Sequence, residues 1–554
     1  MTKERSRWTD LLFLTGLWAI MAWIANPIGD FPLNDDWVYG VSVKALVENG
    51  QVYFLTEWAC KTLVAHVLWG ALFCLPFGFS YTALHISQLA AGILGVLGVY
   101  WLCLELGASR RTSLICALTL LVNPLYFQLS NSFMTDVAFV AFCALGLLLL
   151  TKGIVRTQSF YSVFGWIVVG IAIWVRELSL MIPAGYAVFQ VYRSGFGLKS
   201  LYRAARPAII FIALLIVHQF VMVPLFGFPN LNNPRTTSAL KHLIKDPLQF
   251  VFDTTSRTAI LLMYAGLFAL PMLIWFRISL KKFLTALERK VMNYTVGAFL
   301  ALSGVTMIAM GRLMPLGRNS LFDFGLGPAT LRDVYLLKLP NLPTAPTWFW
   351  AIVTAASVWG GAQVLKYVVL AIMRIWERDA TKRQDTTRGL LIFFLSMSLL
   401  YAAVVIASMY YDRYLTIYLP LVAALCVLLG GELATVSRVR YAGTVAVLSL
   451  YGLFGTLATH DYMSWNRVKW EVVRDLNGPM NIPPNKIDAG YEVNVTLLFD
   501  IGKSTDPNKS WWWVDDDEYI VAFGPIPGYE IIERRPFPNY LYRDDTAICV
   551  LKRL

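Results

Sequence analysis

The sequence predicts a polytopic α-helical membrane protein with a small α/β domain after its last membrane span. Three observations support this fold class: long apolar segments, a low content of charged residues, and Lys and Arg residues concentrated in alternate connections. Hydrophobic residues make up 57% of the 554-residue chain and charged residues 15%, against roughly 25% charged residues in soluble proteins. A soluble protein of this composition would expose large apolar patches, so the composition indicates a bilayer.

The apolar segments predict about 13 transmembrane helices, since a stretch of roughly 17–25 apolar residues spans the hydrocarbon core. The predicted spans begin near Leu11, Tyr81, Thr112, Phe133, Phe160, Leu178, Pro207, Ala259, Val291, Thr347, Leu390, Tyr414 and Tyr441. Two interfacial helices are predicted in the loop after the first span. The amphipathic run Asp36–Val47 suits a helix lying in the interface. The apolar stretch Leu63–Phe79 is assigned to a second helix, half sunk in the outer leaflet, because a further span would break the alternation of charge.

Lys and Arg residues predict which side of the membrane each connection faces. With alternating spans, about half of the 47 basic residues fall in connections on the same side as the N-terminus. Because cytoplasmic loops are enriched in Lys and Arg, the N-terminus is predicted to be cytoplasmic, in a multi-pass protein of the cell (inner or plasma) membrane. The same distribution explains the net charge of +12 without a nucleic-acid partner.

The chain is predicted to divide into a transmembrane domain, residues 1–459, and a C-terminal domain, residues 460–554. Hydropathy falls near His460, and Pro/Gly turns then separate short β-like runs such as Glu518–Phe523 and Thr546–Leu551. This pattern is typical of a small α/β domain. An odd number of spans predicts that the domain is extracytoplasmic.

Five ionisable residues are predicted to gather at the outer ends of the spans. Asp35 and Asp36 lie in the first outside loop, Lys61 at its end, Asp136 at the start of the fourth span, and Arg413 in a tight turn. A carboxylate at the membrane boundary is costly unless it is used or paired. The sequence contains no His/Cys cluster with metal-ligand spacing, so no metal site is predicted. The acids could act with or without a divalent cation.

Structural roles are the alternative interpretation of these residues. The three aspartates could serve as N-caps or first-turn charges of the helices that they begin. A plain ion pair joining two helix ends is the alternative for Asp412 and Arg413. For Arg176 and Glu177, it is the interpretation that we favour.

Taken together, the residue types are suited to moving a group off a phosphate. A carboxylate can take the proton from an attacking hydroxyl, and a second carboxylate can orient the acceptor or bind a divalent cation. Lys and Arg can hold the leaving phosphate and its developing charge. Because nucleotide sugars are not supplied outside a cell, a membrane-embedded sugar transferase there would need a lipid-borne donor.

Four short motifs follow one another along the chain. They are Asn34-Asp35-Asp36-Trp37-Val38-Tyr39, Lys61 with Phe77-Gly78, the segment from Asn131 to Asp136, and Arg413-Tyr414-Leu415 followed by Leu419-Pro420. In order and spacing they resemble the motifs of GT-C-fold glycosyltransferases that use polyprenyl-phosphate sugars. The family 39-like branch, which includes protein O-mannosyltransferases and the lipid A aminoarabinose transferase, is the most similar. Thr62 departs from that family's pattern, because it follows Lys61 where the family has a proline.

The resemblance implies a GT-C fold and an inverting transfer at the extracytoplasmic face. A sugar would pass from a polyprenyl-phosphate donor to a hydroxyl of a glycan, lipid or protein acceptor, with membrane lipids as further partners. The resemblance implies that Asp35 is the general base, with Asp36 as the second choice, and that Lys61 and Arg413 bind the donor phosphate. It implies that Asp136 helps to position acceptor or donor.

The main rival function is that of a multi-pass transporter or lipid flippase. Transporters place functional ionisable residues near mid-membrane in broken helices and show repeated halves, whereas the candidates here cluster at the outer ends of spans. A non-enzymatic assembly protein would leave the acidic outer site idle. A polymerase or ligase of lipid-linked oligosaccharides would depend on loop Arg and His more than on paired acids. A glycosyltransferase is therefore the favoured function.

Overall fold

In the computed structural model the described residues are mostly helical, and their strands form two small sheets. It describes residues 2–55, 58, 62–231, 241–276, 284–316, 319–376, 386–408, 410–430, 436–499, 513–514, 516–542 and 545–554. The helices are α1 (Thr2–Ala25), α2 (Asp36–Asn49), α3 (Val64–Cys74), α4 (Tyr81–Glu105), α5 (Arg110–Leu121), α6 (Pro124–Leu129), α7 (Thr135–Arg156), α8 (Ser159–Val175), α9 (Met181–Ser194), α10 (Leu198–Val217), α11 (Val223–Phe226), α12 (Pro247–Phe268), α13 (Leu270–Trp275), α14 (Ala286–Met310), α15 (Arg332–Tyr335), α16 (Thr347–Trp376), α17 (Thr386–Ala407), α18 (Tyr418–Gly430), α19 (Arg438–Asn477) and α20 (Tyr491–Leu498).

The predicted membrane segments all fall on helices. Within the described part of the chain, nine helical segments are long and apolar enough to cross a membrane. The four predicted spans outside that set lie on α5, α8, α9 and α12. The two helices predicted in the first loop are α2 and α3. The polytopic helical fold class is confirmed, while the count of 13 spans and the cytoplasmic N-terminus stay predictions.

Helix α7 lies inside the bundle, packed between α4 and α8 through small residues. A β-carbon placed on Gly95 of α4 would lie 3.1 Å from the Ala141 Cα of α7. One on Gly146 of α7 would lie 2.8 Å from the Val169 side chain of α8. Small residues let membrane helices approach closely. Because α7 and α8 are consecutive helices that pack side by side, the first turn of α7 lies beside the last turn of α8.

Helices α12 and α16 cross at a glycine contact that leaves no room for a side chain. A β-carbon on Gly266 would lie 2.0 Å from the Gly361 backbone nitrogen and 2.2 Å from the Gly360 carbonyl carbon. Backbone atoms cannot move aside as a flexible side chain can. The two helices must therefore separate if Gly266 gains a side chain.

Gly266→Ala is expected to lower the free energy of unfolding by about 3 kcal/mol, the upper part of the range for overpacking. Gly304→Ala in α14 is the matched control, because a β-carbon there would meet nothing within 4 Å and alanine favours a helix. Thermal unfolding in detergent measures both variants. Equal unfolding temperatures for the two variants would contradict the close crossing of α12 and α16.

The C-terminal part folds as a four-stranded sheet in the order β3-β4-β6-β5. The strands are β3 (Ile487–Asp488), β4 (Tyr519–Ala522), β5 (Tyr529–Pro536) and β6 (Ala547–Arg553), and a separate hairpin pairs β1 (Leu321–Phe322) with β2 (Gly325–Leu326). Strands β3 and β4 are parallel, whereas β6 is antiparallel to β4 and to β5. The predicted β-runs lie on β4 and β6, so the small α/β element of the fold is confirmed.

Helix α19 connects the membrane bundle to this sheet without a break. It runs through residue 460, the predicted domain boundary, as far as Asn477. Its second half contributes Trp465 and Val472 to a buried core with Val521 of β4 and with Phe31 of the first loop. The domain division at residue 459 stays a prediction. The shared core holds the C-terminal sheet against the loop that carries Asp35.

Candidate functional site

Asp35 stands at the start of α2, and its carboxylate is turned toward the interior of the site. It occupies the N-cap position, but its side chain makes no capping hydrogen bond. Its Oδ1 accepts a hydrogen bond from the Tyr491 hydroxyl at 3.2 Å, and its Oδ2 accepts one from Arg413 Nη2 at 3.3 Å. The side chain remains 33% exposed. The carboxylate is therefore held by two donors and is still accessible from outside.

Arg413 reaches the site from a short turn, Asp412–Ile417, that precedes α18. The turn is fixed because the buried Asp412 carboxylate accepts the backbone N–H groups of Ser320 and Leu321 at 3.1 and 2.8 Å. The Arg413 guanidinium is 4% exposed and lies between two carboxylates, Asp35 and Asp136. Its Nε lies 3.9 Å from Asp136 Oδ2. The predicted grouping of Asp35, Asp136 and Arg413 in space is therefore observed.

Asp136 in the first turn of α7 pairs with Arg176 at the end of α8. Arg176 Nη1 donates to Asp136 Oδ1 at 2.7 Å, and both side chains are almost fully buried. The Arg176 guanidinium also lies 4.7 Å from the centre of the Tyr414 ring. The expected pairing of Arg176 with Glu177 is not what the structure shows. The adjacent helix ends place Asp136 nearer to Arg176, and a buried guanidinium needs a buried carboxylate.

Arg176 keeps unused donors in the buried cluster. Its Nε and Nη2 have no hydrogen-bond partner within the described part of the chain. A buried charged donor without a partner costs free energy, so an anion placed beside the guanidinium would be favoured. Arginine pairs with phosphate particularly well because its donors form a rigid planar fork.

Asp36, the neighbour of Asp35, points into the protein. It is fully buried, and its Oδ2 accepts the backbone N–H of Phe133 at 2.8 Å and lies 3.7 Å from His85 Nε2. Burial raises the pKa of the Asp36 carboxyl above its ordinary value, and the hydrogen bonds oppose that rise only in part. In this position Asp36 links the first loop to α4 and to the segment before α7.

Tyr491 is a site residue that sequence reasoning did not find. It begins α20 in the C-terminal part of the chain, and its hydroxyl contacts both Asp35 and the indole N–H of Trp37, the latter at 3.2 Å. Burial raises the pKa of the Tyr491 hydroxyl above its ordinary value. Tyr491 lies 456 residues after Asp35. Nothing in the local sequence pattern around Tyr491 signals this contact.

Lys61, the second predicted phosphate ligand, lies outside the described residues. The next residue, Thr62, is buried, and its hydroxyl donates to the Ile173 carbonyl in α8 at 2.6 Å. This contact places the end of the first loop against the helix that carries Arg176 at its end. A role for Lys61 on the phosphate stays a prediction.

The described residues hold no group of three or more His, Cys, Asp or Glu side chains placed to bind a metal ion. Asp35 and Asp136 are each within ion-pair distance of Arg413. The site therefore contains two carboxylates, of Asp35 and Asp136, and two guanidiniums, of Arg176 and Arg413, in one largely buried cluster.

Residues 65–228 match the model of a protein family described as dolichyl-phosphate-mannose-protein mannosyltransferase. The matched segment includes Asp136 and Arg176 of the site. The match confirms the resemblance predicted from the sequence motifs.

Several solved structures are similar to the chain. The archaeal oligosaccharyltransferase AglB from Archaeoglobus fulgidus, in complex with an inhibitory peptide and a dolichol-phosphate, aligns at a TM-score of 0.39 and 16% identity. The alignment covers 83% of this chain and 57% of that one, so the chain spans little more than half the length of AglB. ArnT from Cupriavidus metallidurans aligns at a TM-score of 0.39 and 13% identity in the apo state, covering 100% of this chain and 98% of ArnT.

ArnT bound to undecaprenyl phosphate gives a TM-score of 0.38 and 12% identity, covering 99% of this chain and 98% of ArnT. No curated protein sequence matches the chain.

Proposed function

We propose that the protein transfers a sugar from a polyprenyl-phosphate donor to a hydroxyl acceptor on the extracytoplasmic face of the cell membrane, with inversion of configuration. The observation that carries this proposal is the pairing of a partly exposed carboxylate, Asp35, with the buried Arg413 guanidinium. A base and a phosphate-binding cation are the two groups that such a transfer needs. The family match over residues 65–228 supports the sugar-transfer class.

Asp35 is the proposed general base. Each of its oxygens accepts one hydrogen bond, and each carboxylate oxygen has a second lone pair, so one can receive the acceptor's proton. The acceptor oxygen then bonds to the anomeric carbon while the bond from that carbon to the phosphate oxygen breaks. A single displacement of this kind inverts the configuration. Asp36 is a poorer base because its burial and its bond to Phe133 keep an acceptor away.

The leaving polyprenyl phosphate carries negative charge that cations must hold. We assign Arg413 to this phosphate. The family resemblance implies that Lys61 binds the same phosphate. The Arg176 donors that have no described partner support a phosphate at this place. Asp136 contacts both guanidiniums. Its proposed role is to hold the two arginines in position for the donor.

We propose that the transferred sugar is a hexose or a pentose and that the acceptor hydroxyl belongs to a glycan, a lipid or a protein. We propose that residues 1–459 bind the lipid donor. We propose that residues 460–554, whose sheet packs against the first loop, face the acceptor outside the membrane.

The purified protein in liposomes, given a panel of hexosyl and pentosyl polyprenyl phosphates and hydroxyl acceptors, tests this function. We expect glycosylated acceptor and free polyprenyl phosphate in equal amounts. NMR of the product should show the anomeric configuration opposite to that of the donor. Retained configuration would exclude a single displacement. Donor movement between leaflets without transfer to any acceptor would favour the flippase alternative.

A further inference from the structure

We infer that Tyr491 is a positioning residue for Asp35, so that the C-terminal domain supplies part of the active site rather than only covering it. The inference rests on the proposed function, in which Asp35 takes the acceptor's proton. It adds a residue from the far end of the chain to a site otherwise built from the first loop, the starts of α7 and α18, and the end of α8.

Two described neighbours of the Tyr491 hydroxyl, Trp37 and Asp35, indicate the direction of its proton. The indole N–H of Trp37 can only donate, and it lies 3.2 Å from the Tyr491 oxygen. The Tyr491 oxygen therefore accepts from Trp37, and its single proton is directed to Asp35 Oδ1, also at 3.2 Å. Asp35 receives a second donor, Arg413, on its other oxygen. Each Asp35 oxygen thus accepts one hydrogen bond, and the two donors fix the direction of the carboxylate.

Tyr491 cannot move freely, because the start of α20 is anchored below it. The next residue, Glu492, is fully buried and pairs with Lys469 of α19 at 3.1 Å, with both side chains fully buried. Glu492 also accepts a hydrogen bond from the Thr330 hydroxyl. The preceding residue, Gly490, has a φ of +82°, and a β-carbon there would lie 2.8 Å from the Thr330 carbonyl oxygen.

This anchor has no direct part in the proposed transfer, and its effect is local. It fixes the backbone on both sides of Tyr491, so the hydroxyl stays within reach of Asp35. Trp37 is held as well, since its ring packs 5.1 Å from the Phe499 ring just after α20. The first turns of α2 and α20 are therefore held against each other, and Asp35 lies beside this contact.

Removing the Tyr491 hydroxyl would take one donor from the charged form of Asp35. Loss of a hydrogen bond to a carboxylate favours its protonated form. As the pH falls, the variant should therefore lose turnover at a higher pH than the wild-type protein does. The remaining donor, Arg413, would still bind the phosphate. The change should therefore appear in turnover and in its pH dependence, and not in the affinity for the lipid donor.

Tyr491→Phe tests the inference in the full-length protein. We expect turnover to fall about ten-fold, as for the loss of one charge-assisted hydrogen bond. The acid limb of the turnover-pH profile should move up by about one pH unit, and the donor KM should stay within about two-fold of the wild-type value. Tyr519→Phe is the matched control, because it removes a tyrosine hydroxyl from strand β4 of the C-terminal sheet, where the Tyr519 ring lies 5.8 Å from Lys552 Nζ. Trp37→Phe removes the indole N–H that holds the Tyr491 hydroxyl in place. It should therefore move the acid limb in the same direction.

An acid limb that does not move in Tyr491→Phe would overturn the positioning role, even if turnover fell, because a purely structural change would lower turnover or unfolding temperature at every pH. Asp35→Asn, measured alongside, separates the positioning role of Tyr491 from the assignment of Asp35 as the base. If Asp35→Asn is inactive and Tyr491→Phe keeps the wild-type profile, only the positioning role fails. If Asp35→Asn turns over normally, the assignment of the base fails and the positioning role fails with it.

Discussion

Asp35→Asn is expected to lower turnover by about 10³-fold, within the range typical of losing a general base, while leaving the fold intact. An amide has nearly the shape of the carboxylate, and its oxygen can still accept a hydrogen bond from Arg413 or Tyr491, but it cannot take the acceptor's proton. Because Asp35 is only partly buried and caps nothing with its side chain, the loss of its charge should not unfold the protein. Rates of sugar transfer and the thermal unfolding midpoint measure the two effects separately.

Glu48→Gln is the matched control for this variant. Glu48 is an exposed residue of the same helix, α2, and its substitution removes the same charge from the same loop. We expect it to turn over at the wild-type rate. Equal turnover of Asp35→Asn and Glu48→Gln would remove Asp35 from the mechanism.

Asp136→Ala is expected to lower the free energy of unfolding by about 3–5 kcal/mol, the cost of breaking a buried ion pair from one side. The substitution would leave the buried Arg176 without its carboxylate at 2.7 Å and would also loosen Arg413. Turnover should fall together with stability, because both guanidiniums would lose their fixed positions. Denaturant or thermal unfolding in detergent measures the loss of stability.

A double-mutant cycle shows whether the loss comes from the pair itself. Asp136→Ala/Arg176→Ala should be destabilised by less than the sum of the two single variants, with a coupling of at least about 1 kcal/mol. Glu518→Ala is the comparison, since the Lys486–Glu518 pair at 2.8 Å is partly exposed and such pairs contribute about 0–1 kcal/mol. Additive losses in the cycle would show that Asp136 and Arg176 do not stabilise each other.

The helices and strands could be predicted from local patterns. Apolar runs of membrane-spanning length fell on helices, and the short β-like runs after His460 fell on strands β4 and β6. The grouping of Asp35, Asp136 and Arg413 was also predictable, because each residue directly precedes or begins a predicted helix. Once the spans alternate, those helix ends share one side of the membrane.

The partners of these residues could not be predicted, because they depend on how distant segments pack. Arg176 stands next to Glu177 in the sequence, yet the crossing of α7 and α8 gives it Asp136 instead. Asp35 and Asp36 are adjacent and chemically identical, yet the turn into α2 exposes one and buries the other. Tyr491 belongs to a segment whose distance from Asp35 is set by the shared core of α19 and the C-terminal sheet.

The most direct test of the assigned donor site is an experimental structure of the protein in lipid nanodiscs with a polyprenyl phosphate bound. We expect the phosphate within about 3–4 Å of the Arg413 guanidinium, the range of hydrogen bonds and ion pairs, on the side that faces Asp35 and with Lys61 beside it. A phosphate bound away from this cluster would exclude Arg413 as its ligand. One such place is the apolar groove of about 1430 Å³ between α1, α5 and α19, where Arg111 and Arg438 lie.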